Sequence, residues 1–326
     1  MTDTITKVTP ELLDGLNDID ATWPHDPAVP KLPPMPATDE TPATMDSFLN
    51  SHFKDAVHTP AVQGVPAFRS IDWPVTEEDP LKVDVCWSMR SPYCYLVLNR
   101  LVWLNSNYCV DVNIRPVMPI AVRSTKGGSG KAGGMFGITY KVPDMMWDLP
   151  RMGEFLGVPF KYSRPDPIWQ TVWPPFGKNF EMVHPVDKQP YIHWITRLAC
   201  YASLKGKALD FINEISPLIW GGHVDHWPAH VKEAFNKIEG LDYDTAIKDI
   251  QDDGAKKVDA QWVENSVFMA KTGHGGVPLM VINGEPFFGG DRFDPFVDRL
   301  RQNGLTKRRW ARAPFTTKPL RWPLSD

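Results

Sequence analysis

Ser91, Pro92, Tyr93 and Cys94 are the residues of this chain whose types and spacing bear most directly on chemistry. They follow an apolar alternating run (Val83, Val85, Trp87) and open a helix-like run from Leu96 to Leu104. A redox Cys-x-x-Cys would sit at such a junction, and here its first sulfur is replaced by an oxygen. A strand running straight into a helix aims the first backbone N–H groups at whatever lies above the junction, which stabilises a thiolate or another anion there. Ser91 suits the cap of that helix and Pro92 its first turn. The arrangement favours holding a thiolate supplied by another molecule over closing a disulfide within the chain. Two neighbours admit two readings each. Cys94 is either a thiol of lowered pKa near a helix start or a small packing residue on the first turn. Arg90 is either a bidentate donor to a substrate carboxylate or phenolate or an exposed arginine at a strand end.

The elements that must position these residues follow from periodicity. A strand is expected over 82–88, a helix over 92–105 and a second strand over 110–115, ending at Arg115-Pro116; a strand–helix–strand unit favours a parallel pair. A loop with Gly127, Gly128, Gly130, Gly133, Gly134 and Gly137 comes next. Helical patterns follow over 144–156, 189–204, 207–220, 228–238, 243–251 and 255–271. The chain returns to strand at 279–282, turns at Asn283-Gly284, pairs again over 286–288 and ends in a helix near 292–303. Asn-Gly between apolar runs is the strongest short hairpin signal. This order predicts an α/β thioredoxin fold with an inserted all-helical subdomain. The expected division is a proline-rich N-terminal extension over 1–80, the thioredoxin-like domain over 81–120 and 272–305, a glycine-rich loop and helical insertion over 121–271, and a basic aromatic C-terminal tail over 306–326.

Composition sets the outer bounds. The 326 residues are 42% hydrophobic and 23% charged, enough for a full core. A net charge of −4 gives no general reason to expect nucleic acid or an anionic membrane as partner. Residues 1–9 lack the apolar core of a secretory signal, and no run of about 18 or more apolar residues is present, so the expected location is the cytoplasm. Four cysteines (Cys86, Cys94, Cys109, Cys200) without metal-finger spacing argue against a disulfide framework or structural zinc. The extension carries 12 of the 32 prolines, which excludes long helices and central strands, yet Leu12, Leu13, Leu16, Ile19, Trp23, Phe48, Phe53 and Trp73 suggest short elements wrapped on a partner surface.

Four segments, in order, resemble the glutathione-dependent 2-hydroxychromene-2-carboxylate isomerases and kappa-class glutathione transferases of the DsbA-like branch of the thioredoxin superfamily. They are Ser91-Pro-Tyr-Cys-Tyr-Leu96; Asn113-Ile-Arg-Pro116; Tyr140-Lys-Val-Pro-Asp144 running on to Leu156-Gly-Val-Pro159; and the stretch from Gly276-Val-Pro278 through Asn283-Gly-Glu-Pro-Phe-Phe-Gly-Gly-Asp-Arg292. The resemblance implies glutathione as cofactor, with the Ser91 hydroxyl on its sulfur. It also implies backbone pairing of the tripeptide with Val277 ahead of a cis Pro278, and Gly290-Asp291 at its γ-glutamyl end. A cis bond there would turn one backbone N–H and C=O outward for an extended peptide. Asp291 read by itself is equally a helix cap. The family pattern has a second serine where Cys94 stands and an Asn in the loop where this chain reads Thr125-Lys-Gly-Gly-Ser-Gly-Lys-Ala132, so Ser129 or Lys131 is expected to substitute. That loop lacks the glycine spacing and following helix of a phosphate-binding loop.

Other constellations have plainer explanations beside the chemical one. His223, Asp225, His226 and His230 invite a metal, but Pro228 breaks the helix between them, so no rigid ligand pair is assured and no metal is expected. His274, beside the expected cis-proline, is either a proton carrier or a loop residue. Met145, Met146, Trp147, Trp169 and Trp173 form either core or an aromatic-lined site, and the candidate substrate contacts are Arg90, Tyr93, Cys94, Trp147 and His274. The tail's Lys307, Arg308, Arg309, Trp310, Arg312, Lys318, Arg321 and Trp322 are expected to pack as an arm rather than on nucleic acid, because the domain is not basic.

The resemblance implies a glutathione-dependent cis–trans isomerase of an aromatic or conjugated carbonyl compound, working by thiolate addition, bond rotation and elimination. Its partners would be that small molecule and a second copy of the chain, with neither membrane nor nucleic acid. A kappa-type transferase, a DsbA-like thiol oxidoreductase using Cys94, and a non-catalytic scaffold are the alternatives.

Overall fold

The computed structural model describes residues 26–33, 75–119, 142–163, 165–168 and 189–324. Its centre is a four-stranded sheet in the order β2-β1-β3-β4. Strand β1 (Leu81–Trp87) runs into helix α1 (Pro92–Asn107), which returns to β2 (Val110–Pro116). β1 and β2 are parallel from Leu81↔Val110 to Trp87↔Pro116, because the intervening helix carries the chain back to the starting edge.

Among the described residues six α-helices follow before the next strand: α2 (Val142–Leu156), α3 (Pro190–Leu204), α4 (Ala208–Trp220), the short α5 (Val231–Asn236), α6 (Tyr243–Gln251) and α7 (Gly254–Lys271). The single helical pattern expected over 228–238 is divided into a 3₁₀ turn at Trp227–His230 and α5. Pro228 in the turn has no N–H to contribute to a regular ladder. Strand β3 (Leu279–Ile282) then pairs antiparallel with β1, and β4 (Glu285–Phe288) with β3. The two-residue connection places Asn283 at φ 50° and Gly284 at φ 82°, the left-handed pair that a twisted hairpin requires. A 3₁₀ turn (Gly290–Arg292) and α8 (Phe293–Gln302) complete the unit.

β1 is buried on both faces. Val83, Val85 and Trp87 enter the main core with Leu101 and Leu104 of α1 and Ile192, Ile195, Phe211 and Ile215 of α3 and α4. Cys86 points the other way and packs with Val117, Leu279, Val281 and Met269 of α7.

Residues 26–33 and 305–324 lie on this body. In the extension, Asp26 is buried and accepts from the Tyr191 hydroxyl at 2.6 Å, while the Pro33 carbonyl accepts from Arg197 Nη1 at 2.6 Å and that of Lys31 from Gln251 at 2.8 Å. Arg197 also forms a buried bidentate pair with Asp259 at 2.9 and 2.7 Å. The tail runs along α1. Arg308 reaches the carbonyls of Asn105 and Val110, Arg312 pairs with Asp111, and Trp322 packs against Trp103, Tyr108 and Phe293. Among the described residues no helix is long and apolar enough to cross a membrane.

Candidate active site

Antiparallel pairing of Cys86 with Leu279 brings the end of β1 and the start of β3 to one edge of the sheet. Ser91 and the Val277–Pro278 bond, which is cis, therefore lie at the same end of the β1–β3 pair although the helical insertion separates them in sequence.

Four contacts fix the loop between β1 and α1. The Ser91 N–H donates to the Ser88 carbonyl at 3.0 Å. Trp220, the last residue of α4, donates its indole N–H to the Met89 carbonyl at 3.0 Å. Arg90 donates through Nε and Nη2 to the two oxygens of Asp166, at 3.3 and 3.1 Å. Ser91, with φ −87° and ψ 112°, caps α1 by accepting from the Cys94 N–H at 3.3 Å. In this role the Ser91 oxygen accepts, and the same side chain also hydrogen-bonds the Cys94 thiol. The first turn of α1 holds no acidic side chain, so the positive end of the helix is not neutralised locally.

Cys94 is fully buried at 0% exposure. Burial pushes its thiol up to about 12, against smaller opposing effects of hydrogen bonds with the Ser88 backbone and the Ser91 side chain. The thiol-lowering reading and the substrate-contact reading of Cys94 therefore give way to packing. Desolvation of the thiolate outweighs the helix start, and the side chain belongs to the main core.

Arg90 is corrected as well. It is neither an exposed strand-end arginine nor an open carboxylate receptor, because Asp166 occupies its Nε–Nη2 edge and the pair is only 21% and 26% exposed. Tyr93 donates its hydroxyl to Asp148 of α2 at 3.1 Å. Tyr162, beside the same carboxylate, has its pKa raised by burial and by Asp148. Tyr162 meets Phe160 edge to face, and Phe160 stacks on Trp220. Tyr93, Phe160 and Tyr162 pack against the cluster of Leu96, Leu149 and Leu156, and Trp220 reaches the Ser91 loop at Met89. Trp147, expected as a substrate contact, is 42% exposed on α2 with the Arg151 guanidinium 5.8 Å from its ring. Trp169 and Trp173, and Ser129 and Lys131 of the glycine-rich loop, lie outside the described residues; of Met145 and Met146 only the helical backbone is described.

On the opposite wall, the Pro278 carbonyl accepts from Gly289 N at 2.9 Å. His274 is half-buried and stacks on Phe288 with ring centres 5.6 Å apart; burial lowers its pKa and favours the neutral ring. A Cβ on Gly276 would lie 2.2 Å from the Phe288 ring, so only glycine lets that ring lie against the loop. Asp291 makes no cap bond and its carboxylate pairs with neighbouring Arg292 at 2.9 Å while staying 67% exposed. The preceding Gly290 has its carbonyl held at 2.9 Å by Arg100 of α1. The histidine group lies elsewhere: His226 pairs with Asp26 at 2.9 Å and Asp225 with Lys161 at 3.4 Å.

A family model described as the DsbA-like thioredoxin domain matches residues 82–301. The chain belongs to that family. The match runs from β1 through most of α8, so this DsbA-like domain includes the sheet, the helical insertion and both walls of the site. A solved 2-hydroxychromene-2-carboxylate isomerase is similar at 15% identity, covering 68% of this chain and 95% of its own, with a TM-score of 0.49. No curated protein matches the sequence.

Sequence reasoning missed Asp148, Asp166, Trp220 and Arg100. Arg100 alone left a signal, as the one charged residue of α1.

Proposed function

We propose that this DsbA-like protein is a glutathione-dependent isomerase of an aromatic or conjugated carbonyl compound. The observation that carries the reading is Ser91: a hydroxyl that caps α1, at a helix start free of acidic side chains. Such a group suits a thiolate that arrives with another molecule. Glutathione, when bound, would supply a nucleophilic sulfur that adds reversibly to a conjugated double bond and so leaves it free to rotate.

The chain's own residues would bind, orient and exclude water. Ser91 and the first turn of α1 would hold the sulfur in its anionic form. Val277, ahead of Pro278, would pair through its backbone with the tripeptide, and Gly290 with the exposed Asp291 carboxylate would take the ammonium end. The fit of these parts is chemical: one capping hydroxyl for a thiolate, one outward backbone edge for a peptide, one carboxylate for an amine. Tyr93, Tyr162 and Phe160 would face a planar substrate. The buried, high-pKa Cys94 supports this reading over a thiol oxidoreductase, which needs an accessible thiolate as attacking group.

Calorimetric titration with glutathione, followed by mass spectrometry of products from conjugated carbonyl substrates, tests the proposal. The expected product has unchanged mass, and Ser91→Ala should cut glutathione-dependent turnover at least tenfold. A glutathione adduct as the released product would make the protein a transferase, and no binding would make it a scaffold. Reduction of insulin by the purified chain would restore the oxidoreductase.

A further inference from the structure

Arg100 is 7% exposed, and its burial is not explained by ion pairing. Its carboxylate neighbour, Asp294, stands at 3.4 Å and is itself 66% exposed, a long contact in a well-solvated place. Burial lowers the pKa of the guanidinium, and Asp294 offsets this only in part. Its Nε finds no partner among the described residues. Two contacts stand out: a hydrogen bond of 2.9 Å from Nη2 to the Gly290 carbonyl, and the Phe293 ring 4.4 Å beneath the guanidinium. A charge-assisted bond to a backbone carbonyl in a dry setting is among the stronger hydrogen bonds.

The bond's placement gives it meaning. A Cβ on Gly290 would lie 3.9 Å from both Arg100 Nη2 and the Tyr93 carbonyl, so the turn rests on the helical turn that Ser91 caps. Gly289 opens that turn at φ 96° and donates its N–H to the Pro278 carbonyl. The turn is therefore tied to the cis-proline on one side and to α1 on the other, and the α1 tie is Arg100. Helix α1 carries Ser91 at its start and Arg100 in its interior on one rigid rod, so the spacing between the two is fixed.

We infer that Arg100 is a positioning residue for glutathione: it sets the distance between the thiol end of the site at Ser91 and the amine end at Gly290 and Asp291. This inference rests on the glutathione reading of the site. It requires Arg100 to act on affinity for the tripeptide, and to leave the ionisation of the bound thiol to Ser91 and the helix start.

Arg100→Met keeps a long apolar stem and removes the donors, whereas Arg100→Lys keeps the charge and one reaching donor. Arg100→Met should weaken glutathione binding about tenfold by calorimetry, as expected for loss of one charge-assisted buried bond. The KM for glutathione should rise in parallel, with kcat at saturating glutathione changed less than about threefold. Arg100→Lys should recover part of the affinity. If Arg100→Met does not fold, the same question is put to Arg100→Lys by amide hydrogen exchange: glutathione should protect residues 289–292 less than in the unsubstituted protein. Unchanged affinity in folded Arg100→Met, unchanged protection in Arg100→Lys, or a fall in kcat with affinity intact would overturn the inference and leave the glutathione reading standing. Failure of the unsubstituted protein to bind glutathione would overturn both.

Discussion

Arg90 and Asp166 form a two-bond ion pair immediately ahead of Ser91, with the guanidinium edge presented by Nε and Nη2 to both carboxylate oxygens at 3.3 and 3.1 Å. Asp166 Oδ1 also accepts from the Ile168 N–H at 2.9 Å, so one carboxylate shapes its own loop and fastens the loop that holds Ser91. The neighbouring Pro165 carbonyl accepts from the Trp227 indole at 2.8 Å. The segment over 165–168 is thus pinned between the 3₁₀ turn of the helical insertion and the loop that holds Ser91. The insertion reaches the Ser91 loop through Asp166 here and through Trp220 at Met89.

A double-mutant cycle over Arg90→Ala and Asp166→Ala measures that link. Because the pair is bidentate but about one-quarter exposed, its coupling should be near the upper end of the surface range, about 1 kcal/mol. Urea denaturation of the four proteins supplies the number. Coupling indistinguishable from zero would mean that the pair does not hold the loop.

Cys94 should be dispensable. Its thiol is fully buried with a pKa pushed up to about 12, so almost no thiolate exists at neutral pH. Cys94→Ala should keep the proposed glutathione-dependent turnover within about twofold, at a stability cost of about 1 kcal/mol for the lost packing. Iodoacetamide should label the native protein slowly at pH 8 and rapidly in denaturant, since all four cysteines are buried. Rapid labelling at Cys94 in the native protein would contradict the assignment.

The local parts of this architecture were readable before any coordinates. Strand β1, helix α1 and the Asn283-Gly284 hairpin follow from period and turn chemistry, and Ser91 follows from its place between strand and helix. Each depends on neighbours within one turn or one strand. What could not be read depends on packing across long stretches of chain. Arg90 meets Asp166 and Tyr93 meets Asp148 only because the insertion folds back on the sheet unit, and Arg100 meets Gly290 only because β3 and β4 pair beside β1. No periodicity encodes which face of the insertion arrives at Met89. Pro228 shows a smaller failure of the same kind: its apolar neighbours kept a helical rhythm, while its missing N–H imposed a 3₁₀ turn.

The tail should contribute stability through Trp322. Its ring lies 5.6 Å from Tyr108, 5.9 Å from Phe293 and 6.5 Å from Trp103, and its indole donates to the Tyr108 hydroxyl at 3.3 Å. Because Trp322 is only partly buried, Trp322→Ala should cost about 2 kcal/mol, below the range for a fully buried tryptophan. A shift of the urea midpoint with an unchanged slope would report that loss. A variant as stable as the parent would mean that the tail rests on its arginine contacts alone.

His274 gives the fold a pH dependence whose sign is set by burial. Its folded-state pKa lies below the ordinary histidine value, so between that value and the lower folded one the unfolded chain binds more protons than the native protein. Stability therefore rises with pH through this window and is fully present above about 6.5, the unperturbed value. Protonation would also place a charge in a half-buried ring stacked on Phe288. His274→Asn removes the titrating group, and its thermal midpoint should fall less steeply than that of the parent as pH is lowered from about 7 to about 5. Parallel midpoint curves for the two proteins would show that His274 stays neutral in both states or titrates equally in both, and the burial of its ring would then have no consequence for folding.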